Sequence, residues 1–360
     1  MKTLITIFLI FVLSINLQAQ NSNSTKDTIS NTGKIWGLAF GDYYYKTGGD
    51  SLGNQLQYTP YKKDYNALDF RRIFLGYDYN FSKKFFSSVV LAFEGSDALS
   101  NNKRTFFIKD AYIRWNEIFK NSNLTFGIMG TPGHSVAVEP FWGYRSVEKT
   151  IMDQRNILGT RDLGVMLNGT FDSDKNYGYY FMIGDGSGAS IENDKYKKFY
   201  GNLFAKFMDK KFMLDIYCDY QDLNPNQSNT TFDGFLGYKT DAFTAGVEYF
   251  FQYQKNAFAG LTTGFGPDNV PSGLSIFTSG KMYKELIKFY ARYDFYNPNS
   301  KNSSTGFNEN FVTAGLDFMV HPKVHIMPNI WLNAYTKKTN QTSGLYTQVV
   351  PRITFFYDYR

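Results

Sequence analysis

Alternation constrains this chain more than any other feature. In the stretch 312–320, Val312, Ala314, Leu316, Phe318 and Val320 fall on one parity, and Thr313, Gly315 and Asp317 on the other. The next stretch sets Val324, Ile326, Pro328, Ile330, Leu332 and Ala334 against His325, Met327, Asn329, Trp331, Asn333 and Tyr335. Ile287, Phe289, Ala291, Tyr293 and Phe295 oppose Lys288, Tyr290, Arg292 and Asp294, and Phe243, Ala245, Val247, Tyr249 and Phe251 oppose Thr244, Gly246, Glu248 and Gln252. Leu163, Val165, Leu167 and Phe171 oppose Asp162, Gly164, Asn168 and Thr170. Successive side chains of a strand point to opposite faces, so each segment reads as a strand with one apolar and one polar face. The segments run about nine to thirteen residues, against about five to six for globular strands. A tilted strand needs about nine to eleven residues to cross a bilayer.

The pattern predicts strands over 34–45, 68–79, 84–94, 104–116, 122–130, 161–171, 177–185, 198–208, 212–221, 231–239, 242–252, 273–283, 286–296, 310–320, 324–335 and 345–358. An even number of strands with short turns at one end and longer loops at the other is the signature of a closed antiparallel transmembrane β-barrel. The expected short turns are 80–83, 172–176, 209–211, 240–241, 284–285 and 321–323. The expected long loops are 46–67, 95–103, 131–160, 186–197, 222–230, 253–272, 297–309 and 336–344. Pro328 and Pro351 fall inside strands, where each lacks a ladder donor, so a bulge or a shifted boundary is expected there. A solenoid would show a fixed repeat, which is absent, and a sandwich would have shorter strands. With 35 Phe and 28 Tyr, the chain holds more rings than a dry core needs, and belts at the two membrane interfaces account for the surplus.

The first segment lies outside this pattern. Lys2, an apolar run from Leu4 to Leu13, and Ala19 read as a secretory signal peptide over 1–19. The run is too short to span a bilayer. Residues 20–33 read as a disordered lead-in and 34–360 as the barrel. The net charge of +6 gives no nucleic-acid footprint, and a single Cys218 excludes an internal disulfide framework.

Three stretches carry a resemblance: 70–77 (Phe70, Arg71, Arg72 through Tyr77), 109–115 (Lys109, Asp110 through Arg114 and Trp115) and 160–165 (Thr160, Arg161, Asp162 through Val165). They resemble the porin superfamily of Gram-negative outer membranes, in particular phosphate-selective porin-like proteins, and the end of the signal peptide resembles those of Bacteroidetes-type bacteria. The resemblance implies a barrel of sixteen strands in the cell outer membrane. It further implies a homotrimer, passive diffusion of small hydrophilic solutes, and a third long loop folded inward to narrow the channel. Phe355, Tyr357 and Tyr359 resemble the family's C-terminal aromatic signal, although Arg360 follows them.

That third long loop is 131–160, and it supplies His134, Glu139, Arg145, Glu148, Lys149, Asp153 and Arg155 as candidate constriction residues beside Phe141, Trp142 and Tyr144. Parity places Arg72, Asp110, Arg114, Asp162, Glu248, Lys288, Arg292, Asp317 and Arg352 in the lumen, because Arg or Lys facing lipid at mid-depth costs about 2–4 kcal/mol. Charges lining an aqueous channel set its selectivity. No catalytic residue, metal site or cofactor is expected. His321 and His325 lack a third ligand, and the Asp172–Asn176 run lacks the closing Glu of a calcium loop. Two alternatives stay open. One is a closed barrel acting through loops 46–67 and 253–272 as a structural or surface-binding protein. The other is an outer-membrane hydrolase built on His134 and Ser135.

Overall fold

The computed structural model describes residues 32–54, 56–95, 99–100, 103–258 and 266–359. The signal peptide and most of the lead-in lie outside the described residues, as does the side chain of His134. Sixteen long strands close into one antiparallel barrel: β1 (Thr32–Tyr45), β2 (Asn66–Asn80), β3 (Phe85–Phe93), β6 (Phe107–Phe119), β7 (Ser122–Gly130), β8 (Arg161–Thr170), β9 (Tyr177–Gly184), β10 (Lys198–Phe207), β11 (Phe212–Asn224), β12 (Gln227–Lys239), β13 (Phe243–Lys255), β14 (Ser272–Tyr283), β15 (Ile287–Asn297), β16 (Phe307–His321), β17 (Val324–Lys337) and β18 (Gln348–Asp358). A ribbon of β4 (Leu99–Ser100) and β5 (Lys103–Arg104) sits in the connection after β3. Each long strand pairs with its sequence neighbours, and β1 pairs with β18 from Leu38↔Asp358 to Tyr44↔Arg352, which removes the free edges.

The outward parity is apolar: Leu75, Phe126, Phe181, Leu203, Ile216, Leu236, Val247, Ile276 and Ile353 are all exposed. Water would not tolerate a continuous band of this kind, and lipid requires it. Each of the sixteen expected segments coincides with a barrel strand. The boundaries differ most between β11 and β12, where the expected long loop 222–230 is a two-residue hairpin at 225–226. The Asn224 side chain explains it, since its Oδ1 accepts the backbone N–H groups of Asn226 and Gln227 and folds the chain back at once. The two prolines need no register break between β17 and β18, where Pro328↔Ile353 and Ile330↔Pro351 lie in one continuous ladder. Their missing N–H groups cost elsewhere. The β16–β17 ladder skips from Gly315↔Asn329 to Phe318↔Ile326, and β18 stops pairing with β1 at Arg352.

Two bulges alter the parity rule where it matters most. Phe40 pairs with Arg72 and Gly41 with Phe70, which leaves Arg71 as an extra residue on β2. Val90 pairs with Asp110 and Leu91 with Ile108, which leaves Lys109 as an extra residue on β6. A bulge turns two consecutive side chains toward one face. Arg71 and Arg72 thus both enter the lumen, as do Lys109 and Asp110.

Candidate pore lining and constriction

The segment 131–160 leaves β7 and returns to β8 through a closed neck, where Thr131 Oγ1 donates to the Gly159 carbonyl at 2.7 Å. Between them lie three short helices, α1 (Pro132–Ser135), α2 (Val138–Trp142) and α3 (Ile151–Gln154). Gly143 ends α2 at φ 68°, a left-handed position that glycine takes without a Cβ clash. Apolar side chains of the segment meet inward-facing side chains of the wall. Val138, Trp142, Tyr144 and Val147 pack with Phe235, Phe277, Tyr290 and Met327. Ile151, Met152, Ile157 and Leu158 pack with Met182, Tyr200, Tyr217 and Phe250.

Charged wall residues hold its backbone. Arg71 donates to the carbonyls of Ser146 and Val147, and Arg352 donates to Val147 at 3.0 Å. Arg292 donates to the Lys149 carbonyl and, through its partner Asp294, is fixed in a pair whose side chains are 1% and 0% exposed. Trp331 Nε1 donates to Glu148 Oε2 at 2.9 Å, and Arg155 pairs with Glu309 at 2.8 Å. Hydrogen bonds to charged groups contribute about 1.5–3 kcal/mol each, so the segment is tied at five places around the wall.

The residues expected in the constriction and lumen therefore divide. Arg292, Arg352, Arg155 and Glu148 are consumed in anchoring. Asp162 is turned to backbone, accepting the N–H groups of Gly186 and Gly188 and the Tyr200 hydroxyl at 2.7 Å, so it shapes the 185–197 loop. Asp317 accepts from His325 at 2.9 Å and from the Tyr144 hydroxyl at 3.4 Å. Arg114 lies near the turn end over the Phe86 ring, with Nε on Asn116 Oδ1 at 2.9 Å. Glu248 is 1% exposed on β13 and borders neither of the two cavities described next.

A cavity of about 530 Å³ on the long-loop side is bordered by Arg71, Arg72, Glu94, Arg145, Glu148 and Lys149. A second, of about 470 Å³ on the turn side, is bordered by Glu139, Tyr144, Arg145, Lys239, Lys288 and Asp317. Phe40 and Arg145 border both. The Arg145 guanidinium is set by Asp153 at 2.8 Å and Glu139 at 3.3 Å, and Lys149 reaches Asp153 at 3.6 Å. Facing them on the wall, Glu94 joins Arg72 at 3.7 Å and Lys109, while Arg161 pairs with Asp110. Burial opposes the charge on Glu94, yet Arg72 and Lys109 outweigh it and hold the carboxyl below its usual range. At Glu139 burial wins over Arg145, and the carboxyl is pushed up. Among the described residues, no group of three His, Cys, Asp or Glu side chains could hold a metal ion.

Sequence reasoning missed Arg71, Lys109, Glu94 and Asp42. The first two sit on the bulges, and the signal for them was present: a basic or charged doublet, Arg71 with Arg72 and Lys109 with Asp110, in an otherwise alternating strand. One member of such a doublet must face lipid unless the register slips, and lipid is the costlier outcome. Asp42 was readable only as one polar-face residue among many, although it pairs with Arg71 at 2.5 Å.

No protein-family model matches the sequence, and no curated protein matches it. The fold has many solved counterparts. DcaP, an outer membrane channel of Acinetobacter baumannii, superposes with a TM-score of 0.66 at 11% identity, covering 91% of this chain and 97% of that one. An anion-selective porin from Comamonas acidovorans gives 0.63 at 12% identity, covering 91% and 100%. OmpF of Salmonella typhi gives 0.59 at 10% identity, covering 91% and 98%. At these identities the likeness is one of architecture: the chain has the sixteen-stranded barrel fold of Gram-negative outer-membrane porins.

Proposed function

We propose that the barrel is an outer-membrane channel for passive diffusion of small hydrophilic solutes or ions, exported by the signal peptide 1–19 and assembled as a homotrimer. The observation that carries this reading is the pair of cavities, one on the long-loop side and one on the turn side, that share Phe40 and Arg145 in their lining. In this reading the segment 131–160 is the constriction, and a solute passes between its Arg145 and the β1–β2 wall. Five bases (Arg72, Lys109, Arg145, Lys149 and Arg161) face four acids (Glu94, Asp110, Glu139 and Asp153) around that point. The slight basic excess favours anions, and the sequence likeness to phosphate-selective porin-like proteins makes phosphate a natural probe beside chloride. The test is single-channel recording of the purified protein in planar bilayers. Stepwise conductance with a modest anion preference is expected. A folded preparation without conductance would leave the closed barrel, a reading favoured by the extensive aromatic filling of the lumen.

The titration of Glu139 gives a second check. Its carboxyl is raised by burial, so it takes up a proton above the ordinary value of 4.5. Neutralising one acid beside Arg145 increases the positive excess. The anion-to-cation permeability ratio is therefore expected to rise as pH falls through a midpoint above 4.5. Glu139→Gln should hold the ratio high and flat across the same range. A ratio that falls with acid, or a wild-type slope retained in Glu139→Gln, would contradict the assignment.

A further inference from the structure

The described residues of the first long connection, 46–54 and 56–65, do not remain at the rim. Tyr58, near its tip, is 1% exposed and lies against the rings of Tyr44 at 4.9 Å and Trp331 at 5.4 Å. Its hydroxyl donates to Asp42 Oδ2 at 2.8 Å and accepts from Arg352 Nη1 at 2.9 Å. Asn54 donates to Glu309, and Leu56 is buried. Asp42, Tyr44, Glu309, Trp331 and Arg352 are all inward-facing wall residues, so the segment is seated in the mouth of the barrel.

Lys46 holds it in that shape. It is the first residue after β1 and is 0% exposed. Its ammonium donates to the carbonyls of Asp50 at 2.5 Å, Tyr58 at 3.2 Å, Thr59 at 3.2 Å and Tyr61. Its backbone closes the neck, with Lys46 N–H donating to the Tyr65 carbonyl and the Asp64 N–H donating back, both at 2.8 Å. An ammonium with three donors thus stands where a bound cation would otherwise gather converging carbonyl oxygens. Without it, those buried acceptors would lose their partner and repel one another. The same segment forms one side of the outer cavity through Leu56, Gln57, Tyr58, Pro60 and Tyr61, opposite Arg71, Arg72 and Glu94. Withdrawing it would add its own volume to that cavity.

We propose that the segment 46–65 is a second size-selecting element of the channel, with Tyr58 as the obstructing side chain and Lys46 as the latch that keeps it in the mouth. This rests on the channel reading above. It adds an upper limit on solute size set outside the 131–160 constriction.

The test uses the full mature barrel in liposomes, with swelling rates measured in arabinose, glucose, raffinose and stachyose. Wild type is expected to admit the monosaccharides and exclude raffinose. Lys46→Met and Tyr58→Ala are each expected to admit raffinose and to raise the glucose rate severalfold, with heat-modifiable migration on gels confirming that both fold. A second arm places Tyr58→Cys in a Cys218→Ser background. Reaction with a water-soluble thiol reagent should be slow, and at least tenfold faster once Lys46→Met is added. An unchanged sugar cut-off in both folded variants would overturn the proposal, as would equal labelling rates. The channel reading has its own control: if wild type, Lys46→Met and Tyr58→Ala all admit no sugar and none conducts ions in planar bilayers, the channel reading falls and this one with it, whereas a conducting wild type with an unchanged cut-off in the variants overturns this proposal alone.

Discussion

Under the proposed channel function, Arg145→Ala is expected to change both conductance and selectivity more than any other single substitution in the segment 131–160. Arg145, with Phe40, borders both cavities. Truncation shortens a long side chain that borders both volumes, so single-channel conductance should rise. It also removes a positive charge from a site where Glu139 and Asp153 remain, which cancels the basic excess and leaves four bases against four acids. A unit charge about 4 Å from a permeating ion is worth about 1 kcal/mol in water, which corresponds to roughly a fivefold change in relative occupancy. The anion-to-cation permeability ratio should accordingly fall by about that factor, measured as the reversal potential in a salt gradient. Arg145→Lys should keep most of the selectivity. An unaltered reversal potential in Arg145→Ala would place the permeation path elsewhere.

Arg292→Ala is expected to act on stability rather than on selectivity. The Arg292–Asp294 pair is dry, and the same guanidinium donates to the Lys149 carbonyl and stacks over Trp142 at 5.3 Å. Removing one partner of a buried pair leaves an uncompensated charge and costs about 3–5 kcal/mol. Urea unfolding of the barrel in lipid vesicles should show a loss of that size. Arg292→Ala combined with Asp294→Asn should recover a large part of it, because no charge is then left alone. A loss below about 1 kcal/mol in the single variant would mean that water reaches the pair.

The contrast between these two arginines shows what the sequence could and could not convey. Both are polar residues of a lumen-facing set. The strand count and the inward parity of Arg292, Arg352, Asp317 and Glu248 were legible because lipid penalises the opposite choice at every mid-strand position. Which of those residues meets solvent depends on what the long connections bring against them, and no period in the sequence encodes that. Thus Arg292 and Arg352, expected to line the pore, are occupied with the backbone at 147–149. Tyr58, within a loop that read as an outer surface, is buried against Asp42 and Arg352. The inward aromatics Phe235, Phe250, Phe277 and Phe311 are hard to read for a related reason, because parity gives the face a residue occupies and not whether that face meets water. They are apolar because the segments facing them are. The short hairpin at 225–226 was missed through the reach of one side chain, Asn224, in a stretch rich in polar residues.

The two bulged doublets have a consequence for how barrels of this girth diversify. Alternation gives each strand one inward side chain every second residue, which caps the density of charge along the wall. A single inserted codon lifts that cap locally, and the strand number and the closure of the sheet stay as they were. Deleting Lys109 or Arg71 would be the reverse step. A change of one residue in strand length is therefore expected to alter the charge that the wall presents at one height while the strand number stays the same.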